Sequence, residues 1–442
     1  MKRMLSLLAC VVMLSARAVS AQSLVGNWQA TLGAPPNALR LLLQVARVDN
    51  GALIASLVSL DQGGWDRPFL VDSVLQRDST VAFFVSAVNG SYRGTLTSQG
   101  STIRGQWNQG NGPSPLDFVR PSAQTAWRDP SPHSQRFVTV EKNVRLEALD
   151  WGGTGRPVVL LAGAGNSAHI FDDFAPKLTN EYHVYGITRR GFGNSSRPTS
   201  GYLADSLADD VLAVMDSLGI RTPVLIGHSI AGEELSSIGS RHPERVAGLV
   251  YLDAGYPYAL YDSTLRNPVV SVADVERKLA RLTDPNASTS PRERQALIRD
   301  LVDVSVPQME RDLRQMSKDL AAMPNQDATP PARRPDPVAR GLFAGMQKYT
   351  FVHAPVLAIF AAPHQMPPAM AKDSAARAKA DSVDLATVMP QVAAFRRGIP
   401  TARVVVLPNA NHYVFKSNEA EVLRDIRAFI DGLSQPAPAG RT

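Results

Sequence analysis

The sequence predicts an α/β protein: a mostly parallel sheet with helices on both faces, interrupted by a helical insertion and preceded by a small antiparallel β-domain. Three observations carry this. From Phe137 onward, short apolar runs alternate with stretches of helical spacing, the pattern of buried parallel strands and their crossover helices. Between Tyr256 and Tyr349 the alternation stops for a long, polar, helix-spaced segment. Before about residue 120 the chain is rich in strand and turn signals and poor in helix signals. A chain of 442 residues is also too long for one hydrophobic core, so two domains are the default.

Residues 1–21 read as a signal peptide: Lys2 and Arg3, then an apolar run from Leu5 to Leu14, then Val19-Ser20-Ala21 before Gln22. The run is too short for a permanent membrane anchor, and no later segment is long and apolar enough to be one. Leu7-Leu8-Ala9-Cys10 offers a lipoprotein variant, but the apolar run continues past Cys10. The expectation is an exported protein, periplasmic or secreted. Cys10 is the only cysteine, so the mature chain excludes disulfides, thiol catalysis and zinc–thiolate sites. Cleavage takes Lys2, Arg3 and Arg17 from the 46 basic residues and leaves a net +3 against 40 acidic ones. That balance points to neither nucleic acid nor an anionic membrane as partner. A composition 44% hydrophobic and 19% charged excludes bulk disorder.

The β-domain is placed at residues 22–122. Leu41 to Val48 reads as a strand ending at the Asp49-Asn50-Gly51 turn, and Val81 to Val88 as another. Ser91 to Leu96 and Thr102 to Trp107 flank a turn at Gly100. Gly26-Asn27-Trp28 and Gly105-Gln106-Trp107 repeat one form, read as tryptophans closing a small core. A linker, residues 123–135, follows at Pro130-Ser131-Pro132. The second domain spans 136–434. It holds a hairpin (Phe137 to Val140, Val144 to Leu149) and strands at Val158 to Leu161, Tyr182 to Ile187, Pro223 to Ile226 and Val246 to Leu252. A helix covers Leu203 to Leu218. The insertion, about 256–349, carries an amphipathic stripe of Met309, Leu313, Met316, Leu320 and Met323, which fits an apolar pocket lining or packing on the body. Strands at Val356 to Phe360 and Arg403 to Leu407 follow, with a helix around Val388 to Arg397 between them and a last amphipathic helix through Ile430. Residues 435–442 read as a solvated tail.

The chemistry is concentrated at turns after strands. Val224-Leu225-Ile226-Gly227-His228-Ser229-Ile230-Ala231-Gly232 runs from an apolar strand through a sharp turn into a helix. A serine there is pushed clear of the sheet, and Gly227 and Ala231 are small enough to let strand and helix meet. The helix start directs free N–H groups at the serine, making Ile230 N–H an oxyanion donor. A second donor has to come from an earlier strand-to-helix turn, and Ala162-Gly163-Ala164-Gly165 fits. That Gly-x-Gly lacks the third glycine of a nucleotide loop. A serine hydroxyl needs a base, and His412 lies on a loop between the last strand and the last helix.

This order resembles the α/β-hydrolase superfamily over residues 136–434: Gly-rich turn, Arg189-Arg190-Gly191-Phe192-Gly193 loop, G-x-S-x-G-type nucleophile elbow, lid insertion and histidine loop. The elbow departs from the family at Ala231, where a second glycine is usual. The β-domain resembles the one that precedes the hydrolase domain in some exported bacterial members, and its Gly-x-Trp start is loosely lipocalin-like. α/β Hydrolases usually have His-Gly where this chain has Ala162-Gly163, so the resemblance implies the Ala164 N–H as the second oxyanion donor. It also implies Ser229 as nucleophile, His412 as base, and an acid to orient it. The family often has that acid after the penultimate strand, where this chain has Ala361-Ala362-Pro363-His364. Asp253, after the strand that follows the elbow helix, is the preferred acid; Asp381 and Asp384 are the alternatives. The Arg189 loop reads as structural packing. Glu233 and Glu234 read as a solvated helix face, with substrate-amine binding as the other option. The expected function is carboxylic ester hydrolysis through an acyl-enzyme, on a small-molecule substrate, with no cofactor and no metal. Amide or peptide cleavage is the runner-up, and a binding protein with a degenerate site is the other class. Epoxide and haloalkane chemistry on this fold uses an aspartate nucleophile, so Ser229 argues against both.

Overall fold

The computed structural model describes residues 23–34, 38–47, 51–61, 64, 68–110, 112–127, 131–255, 259–285, 289–322, 337–365 and 374–433. The signal-peptide reading of residues 1–21, Asp49-Asn50, Pro130, Tyr256, Met323 and the tail 435–442 lie outside them.

The first sheet is built from β1 (Gly26–Leu32), β2 (Leu39–Arg47), β3 (Leu53–Ser59), β4 (Phe69–Val71), β5 (Ser73–Arg77), β6 (Thr80–Val85), β7 (Gly90–Leu96), β8 (Thr102–Asn108), β9 (Pro113–Pro115) and β10 (Phe118–Val119). All its pairings are antiparallel, in the order β4-β3-β2-β1-β10-β8-β7-β6-β5 with β9 on β8. Alternate residues face inward, as in β7, because the side-chain period of a strand is two. The inward set includes Trp28, Phe83, Tyr92, Trp107 and Phe118, so both Gly-x-Trp repeats close one core. Tyr92 stacks on Phe83 at 4.8 Å, and its hydroxyl donates to the Leu116 carbonyl at 3.0 Å.

The second sheet carries β11 (Ser134–Glu141), β12 (Val144–Gly152), β13 (Pro157–Leu161), β14 (His183–Ile187), β15 (Val224–His228), β16 (Gly248–Leu252), β17 (Val356–Ala361) and β18 (Arg403–Leu407). Their order is β11-β12-β14-β13-β15-β16-β17-β18. The β11–β12 hairpin and the β12–β14 pair are antiparallel, and every pairing from β14 to β18 is parallel. The helices are α1 (Ala204–Leu218), α2 (Gly232–Arg241), α3 (Pro268–Thr283), α4 (Pro291–Asp300), α5 (Val306–Ala322), α6 (Pro337–Gly345), α7 (Ser374–Gly398), α8 (Val414–Ser417) and α9 (Glu419–Asp431). Residues of one strand divide between two cores: Val159, Leu161, Leu225 and Leu249 point to one face, Val158, Leu160, Ile226 and Val250 to the other. Both faces are covered, which is why these strands read as unbroken apolar runs. Each fully buried leucine or isoleucine contributes roughly 1.5–3 kcal/mol relative to exposure.

Two expectations need correction. Helix α7 begins at Ser374, well before Val388, since the Ala/Lys/Asp stretch ahead of it continues the helix. In α5, Met316 is 41% and Leu320 58% exposed, whereas Gln308 and Asp312 are buried. The buried seam against α3 is polar: the Asp312 carboxylate accepts from Ser271 Oγ at 2.5 Å and from Gln308 Nε2 at 2.9 Å.

Candidate active site

Strands β13, β15, β16 and β18 run parallel, so the loops at their carboxyl ends share one edge of the sheet, the usual place for a site in such a fold. Ser229 follows β15 with φ 55°, in the left-handed region that a non-glycine residue enters only when its surroundings force it. Those surroundings are close packed. A Cβ at Gly227 would stand 2.9 Å from Leu235 and 3.1 Å from the Ala231 methyl, so any side chain at 227 would force these neighbours to shift, while alanine fits at 231. A Cβ at Gly163 would stand 3.0 Å from the Ser229 Cβ, so the Gly-rich turn after β13 lies directly against the serine. Ile230 is buried at the start of the turn into α2, and Ala164 is exposed in the turn after Gly163.

Ser229 Oγ lies 2.9 Å from His412 Nε2, and His412 Nδ1 lies 2.6 Å from Asp253 Oδ2. The serine, histidine and preferred acid are thus in one hydrogen-bonded line. Asp253 also adopts a left-handed φ, 47°, which turns its side chain across the end of β16. Burial alone would raise its carboxyl. Hydrogen bonds from His364, His412 and the Ala361 N–H outweigh that and hold it at about 2. The carboxylate is therefore ionised throughout the neutral range. The alternatives engage other groups: Asp381 Oδ2 is 3.7 Å from Arg377 Nε, and Asp384 bonds His364.

Two neighbours set the histidine loop. His228 Nε2 is 2.9 Å from the His412 carbonyl, and its ring packs on those of His412, Tyr413 and Phe415. Burial, then the charge of His412, pushes His228 down to about 3, so it is neutral and its Nε2–H donates to that carbonyl. Tyr413 in turn donates to Asn166 Oδ1 at 3.2 Å, tying the loop to the Gly-rich turn.

His364 is the residue that sequence reasoning passed over. The loop after β17 holds an imidazole where the family resemblance leads one to expect a carboxylate. His364 Nε2 is 2.9 Å from Asp253 Oδ2, the oxygen that His412 also bonds, and Nδ1 is 3.0 Å from Asp384 Oδ2. The Pro363-His364 pair in the position of the missing acid was the available signal.

Glu233 and Glu234 are a correction: neither is solvated. Helix α2 is buried from Gly232 to Gly239, and the two are 0% and 3% exposed. Glu234 pairs with the buried Arg189, whose Nη2 also donates to the Ala162 carbonyl at 3.0 Å. Arg190 grips Asp210 through two bonds of 2.6 Å. The arginine loop is thus packing, as its sequence implied. Neither Glu233 oxygen has a hydrogen-bond partner among the described residues. Burial, then the charge of Glu234, raises Glu233 well above the usual carboxylate range.

Among the described residues, two groups of three or more bring histidine and carboxylate atoms within 4.8 Å of one another. In Asp253–His364–His412 the contacts are the proton-sharing bonds just described, and we assign no metal there. In the other, His169 is held between Asp172, 3.0 Å from Nδ1, and the buried Glu147, 3.5 Å from Nε2, with His133 Nε2 3.5 Å from Asp172. Contacts between these side chains account for it.

A mostly parallel sheet, a strained serine at the turn after a central strand and an imidazole within hydrogen-bond reach define the α/β-hydrolase class. The family model for the alpha/beta hydrolase fold matches residues 156–419, and the chain belongs to that family. Among curated relatives it is 29% identical over 175 residues to epoxide hydrolase 4 of Homo sapiens, covering 37% of this chain and 46% of that protein. It is 35% identical over 130 residues to a non-heme chloroperoxidase of Streptomyces lividans, covering 29% and 47%. The chain thus spans about half the length of the curated relatives it matches. The solved structure of E-2-(acetamidomethylene)succinate hydrolase is similar with a TM-score of 0.41 and 21% identity, over 68% of this chain and 100% of that one.

Proposed function

We propose that the protein is a serine hydrolase that cleaves a carboxylic ester of a small molecule through an acyl-enzyme. The observation that carries this reading is the line Ser229 Oγ–His412 Nε2 at 2.9 Å and His412 Nδ1–Asp253 Oδ2 at 2.6 Å. His412 Nε2 takes the Ser229 proton as Oγ attacks the ester carbonyl. The N–H groups of Ile230 and Ala164 hold the oxyanion, worth about a hundred- to a thousandfold in rate for each donor. The imidazolium is stabilised by Asp253 and gives its proton to the departing alkoxide. Water then repeats the sequence and releases the acid. Side chains and backbone donors supply every step, so the reading calls for no cofactor.

An ester suits this site because its alkoxide leaves more readily than an amine. The names of some relatives speak of epoxides and haloperoxidation, but Ser229 stands where an epoxide-opening member of this fold needs an aspartate. The binding-protein reading draws on the position after β17, which holds no carboxylate, and on the N-terminal β-domain; Asp253, reaching His412 from the end of β16, supports the enzyme reading over it. Residues 1–21 support export, and mature protein recovered from the periplasm or medium should begin at Gln22.

The test is labelling with a fluorophosphonate probe beside a panel of p-nitrophenyl esters and aminoacyl anilides. Labelling and ester turnover are expected in the intact protein and absent from Ser229→Ala. Folded protein that neither labels nor turns over any ester ends the proposal; anilides cleaved in preference to esters move it to amides.

A further inference from the structure

The triad does not end at its acid. Asp253 Oδ2 is shared by two imidazoles, His412 at 2.6 Å and His364 at 2.9 Å. His364 is itself held at its other nitrogen, Nδ1, by both oxygens of Asp384 at 3.0 and 3.1 Å, and its backbone N–H donates to Asp384 Oδ2 at 2.7 Å. The result is a continuous line from Ser229 through His412, Asp253 and His364 to Asp384, contributed by β15, the loop after β18, the end of β16, the loop after β17, and α7.

Each His364 ring nitrogen faces a carboxylate, and an ionised carboxylate only accepts. Both nitrogens must therefore carry hydrogen, which makes the ring an imidazolium. The hydrogen bond and charge of Asp253, with those of Asp384, raise His364 to about 9 against the lowering effect of burial. Among the described residues, the charged groups around it come from several elements. Asp253 lies at the end of β16 and Asp384 on α7, with the His412 ring centroid 6.4 Å away on the last loop. On α7, Arg377 is turned to Asp381 at 3.7 Å and to Asn409 at 3.1 Å. His228, from β15, faces His412 as a neutral ring, with Lys416 of α8 beyond it.

We propose that His364 is a positioning residue of this site: clamped as a cation between Asp253 and Asp384, it fixes the acid against His412 and keeps His412 free to accept the serine proton in mildly acidic solution. A standing positive charge on His364, bonded to the same Asp253 oxygen with its ring centroid 6.4 Å from that of His412, opposes a second positive charge on His412. It also supplies a second side-chain donor to Oδ2, which with the Ala361 N–H on Oδ1 holds the carboxylate in place against His412. The assignment rests on the serine hydrolase reading for its consequence in turnover, but the protonation of the two rings can be read without turnover.

The experiment uses the full mature chain. The pH profile of kcat/KM on a p-nitrophenyl ester is compared among the wild type, His364→Gln and Asp384→Asn. Glutamine keeps a neutral donor beside Asp253 and removes the charge. The acid-side midpoint in His364→Gln is expected to rise by about one pH unit, from the Coulomb interaction of two charges at this separation. Asp384→Asn removes the charge that offsets His364, so its acid-side midpoint is expected to move the other way. A His364→Gln variant whose kcat/KM falls by one factor at every pH, with an unmoved midpoint, overturns the proposal in favour of packing alone. Histidine ¹⁵N spectra of the wild type give a second readout that needs no variant. His364 should carry protons on both nitrogens at pH 8, and a single neutral tautomer at pH 7 overturns the proposal. Wild type that shows the doubly protonated ring but no Ser229-dependent turnover retires the esterase reading alone. The His412 titration, followed in the same spectra of wild type and His364→Gln, then decides the proposal by whether its midpoint rises.

Discussion

Ser229 and Asp253 share a backbone habit, φ 55° and 47°, and for each the left-handed turn aims a short side chain at His412. Both are strained positions at the ends of neighbouring parallel strands, β15 and β16, and the strain is what a packed fold can hold to pre-organise a site. Asparagine at 253 retains the shape but reverses the hydrogen-bonding preference toward His412 Nδ1, which favours the wrong tautomer. Asp253→Asn is expected to lower kcat about ten-thousandfold while fluorophosphonate labelling falls but folding is retained; near-normal turnover would sink Asp253 as the acid. The serine and the histidine were legible because each sits in a pattern of strand, small residues and turn that few other chemistries require. Asp253 was legible only because the usual position held no carboxylate. His364 was not, because the sequence shows which residue types stand in a loop but not that α7 brings Asp384 to the far side of the ring. Glu233 was misread because charge in a sequence speaks of solvent, and only the packing of α2 shows that both carboxyl groups are enclosed.

Among elements, the body of the second sheet was legible strand by strand, since fully buried parallel strands write themselves as apolar runs of fixed length. The insertion was legible as helices but not as packing. The Met/Leu stripe of α5 recurs at helical spacing, yet Met316 and Leu320 face outward and the seam toward α3 is made by Ser271, Gln308 and Asp312. Helical periodicity identifies a face; it does not say which face a neighbour covers. Helix α6 does the work expected of that stripe: Val338 and Leu342 are 2% and 1% exposed and pack with Tyr202, Leu207 and Ile230, the residue beside Ser229. Leu342→Ala is therefore expected to cost about 2–5 kcal/mol of stability, the range for a buried leucine. Leu320→Ala, on an exposed face, should stay within about 0.5 kcal/mol. Urea unfolding of the two variants checks this, and equal losses would show that α5 buries its apolar side.

Across the whole molecule, the titrating groups of the second sheet's body predict the shape of stability against pH. Glu147 and Asp253 are held at about 2, against ordinary values of 4.5 and 3.8, by hydrogen bonds that outweigh burial. Their contribution is present above the ordinary values and is lost as pH falls toward 2. His228, pushed by burial from 6.5 to about 3, acts in the same direction over a higher window: the unfolded chain binds a proton there first, so stability falls as pH drops below 6.5. Glu233 has the opposite sign, since its carboxyl stays protonated in the fold well above 4.5 and the unfolded chain gives that proton up. His364, raised from 6.5 to about 9, adds stability that is complete below 6.5 and gone above 9. Between about 4.5 and 6.5 the His228 and Glu233 effects oppose each other, so Tm should be nearly flat there and should decline on both sides. Scanning calorimetry across pH 3 to 10 measures this. Glu233→Gln keeps the shape of the side chain and removes its ionisation, so its gain in Tm should be larger at pH 8 than at pH 5. A gain equal at both pH values would mean that the Glu233 carboxyl ionises in the fold as it does in water, and that the enclosure of α2 is looser than its packing implies.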